Sequence, residues 1–232
     1  MPARSSSNVV LAGDGFAAGS LWRGGWLGLY GRSNSGAKFT YGGPLLASRI
    51  VPFYVCPRPE AGLETIMGTV WFRDRKASDL HGLLRYYRKA SDSGYYKNGF
   101  DETVVLGGSK YTPPSLQELS LNSYPFNGVN TAAVLSGGSF DGLSYLVTFS
   151  YKDGWSKSQM KTPKNLNFVS YGNVSHKNGW LWGMLNVSNF GEGTPEIKTY
   201  LRGVLLQKQG LISGQAETAG GTVGRYFVAP TK

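Results

Sequence analysis

The chain has 232 residues, 41% of them hydrophobic and 16% charged, which is long enough for one large or two small domains with an ordinary core. With 33 Gly, 14 Tyr, 11 Phe and 6 Trp, the composition favours short aromatic-rich strands joined by tight turns over amphipathic helices. The net charge of +10, from 24 Lys+Arg against 14 Asp+Glu, suits contact with polyanions, although a basic surface that only aids solubility is the plainer reading.

Met1 to Asn8 reads as a polar, frayed terminus with no apolar signal core after Arg4, so no export signal is expected in the chain as given. A strand is expected at Val9-Val10-Leu11, followed by a turn at Gly13-Asp14-Gly15. Strands then fall at Phe16 to Trp22, Trp26 to Tyr30 and Lys38 to Tyr41, separated by turns at Gly24-Gly25 and Arg32 to Gly36, the spacing of an antiparallel meander. Ile50 to Val55 is a further strand, with prolines that fit only its ends or a sheet edge. Pro57 to Gly62 is a loop and Ile66 to Phe72 a strongly β-prone run. Leu80, Leu83, Leu84 and Tyr87 fit a helix while Leu80, Gly82, Leu84 and Tyr86 fit a strand, and Gly82 tips the reading to strand. After a loop at Ser91 to Gly94 and a short strand at Val104 to Leu106, Thr112-Pro113-Pro114-Ser115 is the expected boundary between domains 1–112 and 115–232. Strands at Ala132 to Leu135, Tyr145 to Tyr151 and Asn165 to Tyr171 follow, with a lysine-bearing loop from Lys152 to Lys164.

One stretch occurs twice. Gly25-Trp26-Leu27-Gly28, Lys38 to Tyr41, Gly43-Pro44-Leu45-Leu46 and Gly68-Thr69-Val70 are echoed by Gly179-Trp180-Leu181-Trp182-Gly183, Lys198-Thr199-Tyr200, Gly203-Val204-Leu205-Leu206 and Gly221-Thr222-Val223. Trp26 lies 42 positions before Gly68 and Trp180 lies 41 before Gly221, so overall length is kept while the internal spacers vary. The expectation is an all-β chain of two related antiparallel meander subdomains, small barrels or sandwiches, arising by internal duplication.

Further signposts are Gly13-Asp14-Gly15-Phe16, Pro52-Phe53-Tyr54-Val55, Tyr95-Tyr96, Gly99-Phe100, Gly108-Ser109-Lys110-Tyr111-Thr112-Pro113-Pro114, Leu135-Ser136-Gly137-Gly138 and Gly203 to Gln209. Together with the repeated stretch they resemble a β-rich module near the C-termini of large exported, repeat-containing proteins of verrucomicrobial-type bacteria. The chain departs from that module at Gly210-Leu211-Ile212-Ser213-Gly214, where an aromatic, glycine-rich hairpin is expected. The resemblance implies an extracellular or cell-surface location and a β architecture, and it implies no chemistry.

Catalytic groups are scarce. His81 and His176 stand apart from Cys and from each other, so neither a metal site nor a cofactor is expected, and both read as structural. No Gly-x-Ser-x-Gly elbow occurs, and Asp101-Glu102, adjacent on a strand, point to opposite faces. Ala219-Gly220-Gly221-Thr222 lacks the Gly-Lys of a phosphate loop. Cys56, the only cysteine, excludes an internal disulfide and reads as a small buried group at a strand end. No stretch approaches the ~18 consecutive apolar residues of a membrane-spanning helix.

Binding is better served. Trp22, Trp26, Trp155, Trp180 and Trp182 lie near turns or alternate along strands, and their faces can stack on sugars or bases. Trp180 and Trp182 share one face of a strand, a face that more often packs in a core than meets a ligand. Between Arg73 and Lys97 the basic residues, Arg85, Arg88 and Lys89 among them, exceed the acids by four and interleave with Tyr86, Tyr87, Tyr95 and Tyr96. The ligand-binding candidates are therefore Trp180, Trp182, Trp26, Arg85, Tyr86, Arg88 and Lys89. The expected function is a non-catalytic module for adhesion, assembly or glycan binding, with self-association through strand edges open to it. A protein that binds nucleic acid or acidic polysaccharide, and a hydrolase with a dispersed site, are the alternatives.

Overall fold

The computed structural model describes residues 14–57, 64–91, 96–115, 131–137, 143–150, 157–161, 168–187, 197–219, 221 and 223–230. Within them every regular element is a strand, in the order β1 (Phe16–Leu21), β2 (Trp26–Arg32), β3 (Lys38–Pro44), β4 (Ile50–Val55), β5 (Glu64–Arg75), β6 (Ser78–Arg88), β7 (Phe100–Gly108) and β8 (Thr131–Ser136). They continue as β9 (Leu143–Ser150), β10 (Lys157–Lys161), β11 (Phe168–Ser175), β12 (Trp180–Val187), β13 (Ile197–Leu206), β14 (Leu211–Thr218) and β15 (Val223–Pro230). The protein is all-β, as its composition favours, and among the described residues every strand pairing is antiparallel.

Tight turns join the first strands. In the β1–β2 hairpin the Trp22 amide donates to the Trp26 carbonyl at 3.0 Å across a three-residue loop whose last member, Gly25, has φ +75°. Ser33 and Ala37 close the same type of loop between β2 and β3, with Gly36 at φ +81°. A left-handed residue in that place is what turns a three-residue hairpin loop back into its ladder. Arg49 takes the corresponding place before β4 with φ 59°, at a steric cost of about 1–2 kcal/mol that glycine would not incur.

Two sheets form the N-terminal half, β1-β2-β3 and β4-β5-β6-β7. Alternation aims Leu27, Phe53, Ile66, Val70, Leu84 and Tyr86 at one shared core, against which Leu29, Phe39 and Tyr41 of the smaller sheet pack. A fully buried side chain of this kind stabilises the fold by about 1.5–3 kcal/mol. In β6 the pattern is strict, with Leu84, Tyr86 and Arg88 inside and Leu83, Arg85 and Tyr87 outside. Gly82 and period two thus identify a strand.

The second half is a closed eight-stranded barrel, β8 to β15 in sequence order, sealed where Tyr226 of β15 pairs with Leu135 of β8. Leu135, Val147, Leu181, Leu185, Leu201, Ile212 and Tyr226 fill its interior, so it is a packed core and not a lumen. The loop expected over Lys152 to Lys164 is corrected in part: Lys157–Lys161 forms β10, bridging β9 and β11. Its composition, Lys-Ser-Gln-Met-Lys, carries no apolar alternation that would mark a strand. The strand expected at Val9 to Leu11 lies outside the described residues. No helix among the described residues is long and apolar enough to cross a membrane.

The halves are joined by polar links as well as by chain. Arg32 is buried and its guanidinium meets Glu217 at 2.9 Å, the Gln215 amide donates to the Ser33 carbonyl, and Arg225 pairs with Asp14 at 2.8 Å. Residues 109–115 run as coil against the barrel, with Ser109 on Gln209, the Tyr111 hydroxyl donating to the His176 carbonyl at 2.8 Å, and the Thr112 amide donating to Gln207 at 2.7 Å.

Candidate functional site

In β2, Leu27 and Leu29 face the core, so Trp26, Gly28 and Tyr30 face outward. Trp26 is 50% exposed, Tyr30 44%, and Trp22, in the adjoining turn, 55%. In β12 the inward residues are Leu181 and Leu185, which sends Trp180 and Trp182 to the outside of the barrel. The reading of that face as core is corrected, because the barrel interior is filled from the other side of the strand. Trp180 meets Tyr30 with ring centroids 5.8 Å apart and the edge of Phe16 at 5.5 Å. Trp182, two residues further along and hence about 7 Å away, is 51% exposed.

The two outer faces thus meet ring to ring at Tyr30 and Trp180, and with the exposed Trp22, Trp26 and Trp182 on the same faces they make up an aromatic group on both sides of the seam between the halves. Three of the sequence candidates, Trp26, Trp180 and Trp182, belong to it. Tyr30 was legible as part of the same period-two pattern, Trp26-Gly28-Tyr30, but its contact with Trp180 depends on how the halves pack. Trp155 lies outside the described residues.

The basic candidates divide. Arg85 and Lys89 are exposed, and Arg85 is held by both oxygens of Asp101 at 2.7 and 2.5 Å. Tyr86 and Arg88 point the other way and are 0% and 4% exposed, so neither reaches a surface ligand, which corrects their place among the binding residues. The cause is the alternation that exposes Arg85. Arg88 lies 3.5 Å from the buried Glu64 and its guanidinium sits 5.5 Å above the Tyr96 ring. Glu64 also accepts from the Tyr86 hydroxyl at 2.5 Å and the Ser35 hydroxyl at 2.7 Å. Burial first, and then the charge and hydrogen bond of Glu64, push the Tyr86 phenol far above its ordinary value. Glu64 and Asp101 both lie outside the Arg73 to Lys97 segment and each offsets one of its positive charges, while Lys208, also from outside, pairs with its Asp74 and Asp79.

A shallow open cleft of about 370 Å³ lies between the β5–β6 hairpin, the 109–115 coil and the β13–β14 turn, lined by Asp74, Asp79, Lys110, Thr112, Gln207 and Lys208. Lys208 bridges Asp74 and Asp79, and Asp79 also accepts from the Lys110 amide at 2.7 Å. Burial opposes the Asp79 charge, yet the hydrogen bonds and charges of Lys208 and Lys110 outweigh it and hold the carboxyl below its usual range. The hydrogen bonds to Asp74 and Asp79 raise the Lys208 ammonium in turn. This cluster fastens the two halves together, and its charges are spent on one another.

Neither histidine enters the cleft. His81 stacks on Trp71 with centroids 5.4 Å apart, and His176 is buried in the β11–β12 turn. Cys56 is half-buried just beyond β4 and donates to the Tyr54 hydroxyl at 3.2 Å. Among the described residues no group of three or more His, Cys, Asp or Glu side chains is placed to hold a metal ion. No protein-family model, no curated protein and no solved structure matches the chain.

Proposed function

We propose that this chain is a non-catalytic, extracellular or cell-surface β module that binds neutral glycan through its outward aromatic rings. The observation that carries the reading is the set of outward rings, in which Trp22, Trp26, Tyr30 and Trp182 are each between 44% and 55% exposed and Tyr30 meets Trp180 across the seam. Large exposed rings gathered on one face cost solubility and are expected where a ligand covers them. The resemblance to exported modules supports the location. Of the basic candidates for polyanion binding, Arg85 is held by Asp101 and Arg88 is buried against Glu64, which leaves Lys89 as the exposed one.

The test is retention on immobilised neutral polysaccharides, acidic polysaccharides and single-stranded nucleic acid, each at low and high salt. Retention on at least one neutral polysaccharide at both salt levels is expected, because stacking does not release counterions. Retention on polyanions alone, lost at high salt, overturns the proposal, as does retention on nothing.

A further inference from the structure

The four-stranded sheet buries one face in the N-terminal core, and its other face is apolar where an antiparallel sheet of this kind is ordinarily polar. The register sets Pro52, Thr69, Leu83 and Val105 in one row across β4 to β7, and Tyr54, Met67, Arg85 and Thr103 in the next. Beyond the first row lie Ile50, Trp71, His81 and Gly107, with Trp71 stacked on His81; beyond the second, Tyr87 stands beside Asp101. Val105 is 81% exposed, Tyr54 61%, Leu83 58% and Tyr87 38%. Contiguous apolar surface of this kind marks an interaction site.

Charge is balanced on the face and gathers at its ends. The two charged residues in these rows, Arg85 and Asp101, hold each other through two hydrogen bonds. Arg49, Arg73 and Asp79 stand past the row of Trp71, and Lys89 stands past Tyr87. Asp79 is engaged by Lys208, while among the described residues Arg49, Arg73 and Lys89 make no ion pair, so both ends are positive.

We infer that this face is a dimer interface and that its occupant is a second copy of the chain. The face is complementary to itself. A two-fold axis running along the strands between β5 and β6 lays β4 of one copy over β7 of the other, and β5 over β6, in the aligned packing of a β-sandwich. Row then falls on row. Tyr54 of either copy meets Thr103 of the other, Leu83 meets Thr69, and Ile50 meets Gly107, so that long side chains oppose short ones. Val105 meets Pro52, and Arg85 meets the uncharged Met67.

Size decides how tight such a pair can be. Four strands about 4.8 Å apart and four rows about 6.8 Å apart give a footprint of about 500 Å² per copy, or about 1,000 Å² in all, which is the lower bound for a specific interface. The association is therefore weak and reversible. Like ends come together in this arrangement, so the positive margins repel, and salt that screens them should strengthen the dimer. The β1-β2-β3 sheet packs on the same core from the opposite side, so its outward rings stay open when the dimer forms. The inference does not depend on what those rings bind.

The experiment is sedimentation equilibrium of the full chain from about 1 to 200 μM, at low and high salt, the range in which an interface of this size associates. A monomer–dimer equilibrium that tightens with salt is expected. Val105→Arg and Leu83→Arg, both at exposed positions, should each weaken it about tenfold or more with an unchanged near-UV spectrum, because a charge is buried without a partner. Pro52→Glu should do the same alone. Mixing Val105→Arg with Pro52→Glu should restore a heterodimer to within about threefold of the parent, since one Val105–Pro52 contact becomes an ion pair and the other is unchanged. If Pro52→Glu does not fold, Thr103→Arg mixed with Tyr54→Glu repeats the test at the neighbouring contact. A dimer indifferent to Val105→Arg and Leu83→Arg overturns this face, and a mixture that fails to recover overturns the two-fold arrangement. A chain that stays monomeric throughout overturns the inference, and its sedimentation with vesicles of phosphatidylcholine and phosphatidylglycerol would give the face to a lipid surface instead.

Discussion

Replacing Glu64 by Gln asks whether the buried polar cluster, and not the apolar core alone, fastens the β2–β3 turn to the larger sheet. The Glu64 carboxylate is 1% exposed, accepts from Tyr86 at 2.5 Å and from Ser35 at 2.7 Å, and lies 3.5 Å from the guanidinium of Arg88. Arg88 is itself 4% exposed, so Glu64→Gln keeps the shape and strands a buried cation. Breaking a buried pair from one side costs about 3–5 kcal/mol. For a chain of this length that lowers Tm by about 6–20 °C, at roughly 2–4 °C per kcal/mol. Tyr86→Phe deletes one hydrogen bond to a charged group and should cost about 1.5–3 kcal/mol. Replacing both ions at once, Glu64→Leu with Arg88→Met, should recover most of the loss, since removing a buried pair entirely is often close to neutral. The assay is urea unfolding followed in parallel by tryptophan fluorescence and far-UV circular dichroism, with coincident transitions required before free energies are compared. A loss below about 1 kcal/mol for Glu64→Gln, or a double variant no better than the single, would refute the reasoning.

Gly25→Ala and Gly179→Ala both force a Cβ into left-handed backbone, at φ +75° and +69°, and each should lose about 1–2 kcal/mol. Gly179→Ala should lose more, because its Cβ would also lie 2.8 Å from the Tyr111 ring whereas the nearest atom at Gly25 is 3.7 Å away; equal losses by thermal unfolding would count against this. Stability should also fall at both ends of the pH scale. Tyr86 and Lys208 are raised on folding, so their contributions are complete below about pH 10 and lost as pH climbs beyond it. Asp79 is lowered, so its contribution is complete above about pH 4 and lost as pH falls. Calorimetric scans from pH 2 to 11 should show a plateau between, and a Tm that keeps rising above pH 10 would contradict the placement of Tyr86.

The fold class was legible because glycine, aromatics and period two act locally. Gly25 and Gly36 turn the chain where the sequence placed turns, and Gly82 separates strand from helix in β6. What could not be read was which of two faces turns inward. Tyr86 and Arg88 share one face, and Arg85 the other, on period alone; that the first pair is the buried one depends on Glu64, 22 positions away, as their partner. In β12 the buried face is the one that side-chain size does not suggest. Trp180 and Trp182 look like the better core face, yet Leu181, Gly183 and Leu185 are the residues small enough or shaped to fill an eight-stranded barrel. Likewise β10 was missed because a short polar strand on a barrel wall leaves no hydrophobic period to find.

The repeated stretch bears on the site more than on the evolutionary question. Gly25 and Gly179 both have positive φ, both precede a tryptophan that starts a strand, and both accept at their carbonyl from a leucine amide, Leu45 at 2.6 Å and Leu205 at 2.8 Å. The tryptophans pair across their ladders with the residues before those leucines, Pro44 and Val204. The correspondence stops further on, since Gly68 sits within β5 opposite Phe53 while Gly221 lies in the turn before β15. What recurs is thus a hairpin exit with a third strand, and in each occurrence it turns Trp outward and the following Leu inward. One such step supplies Trp26, the other Trp180, and the packing of the halves brings the second against Tyr30, two rows from the first. The aromatic group therefore depends on backbone conformation at two glycines as well as on its rings. A substitution at Gly25 that leaves the fold intact but shifts the strand start should weaken glycan binding even though it touches no ligand.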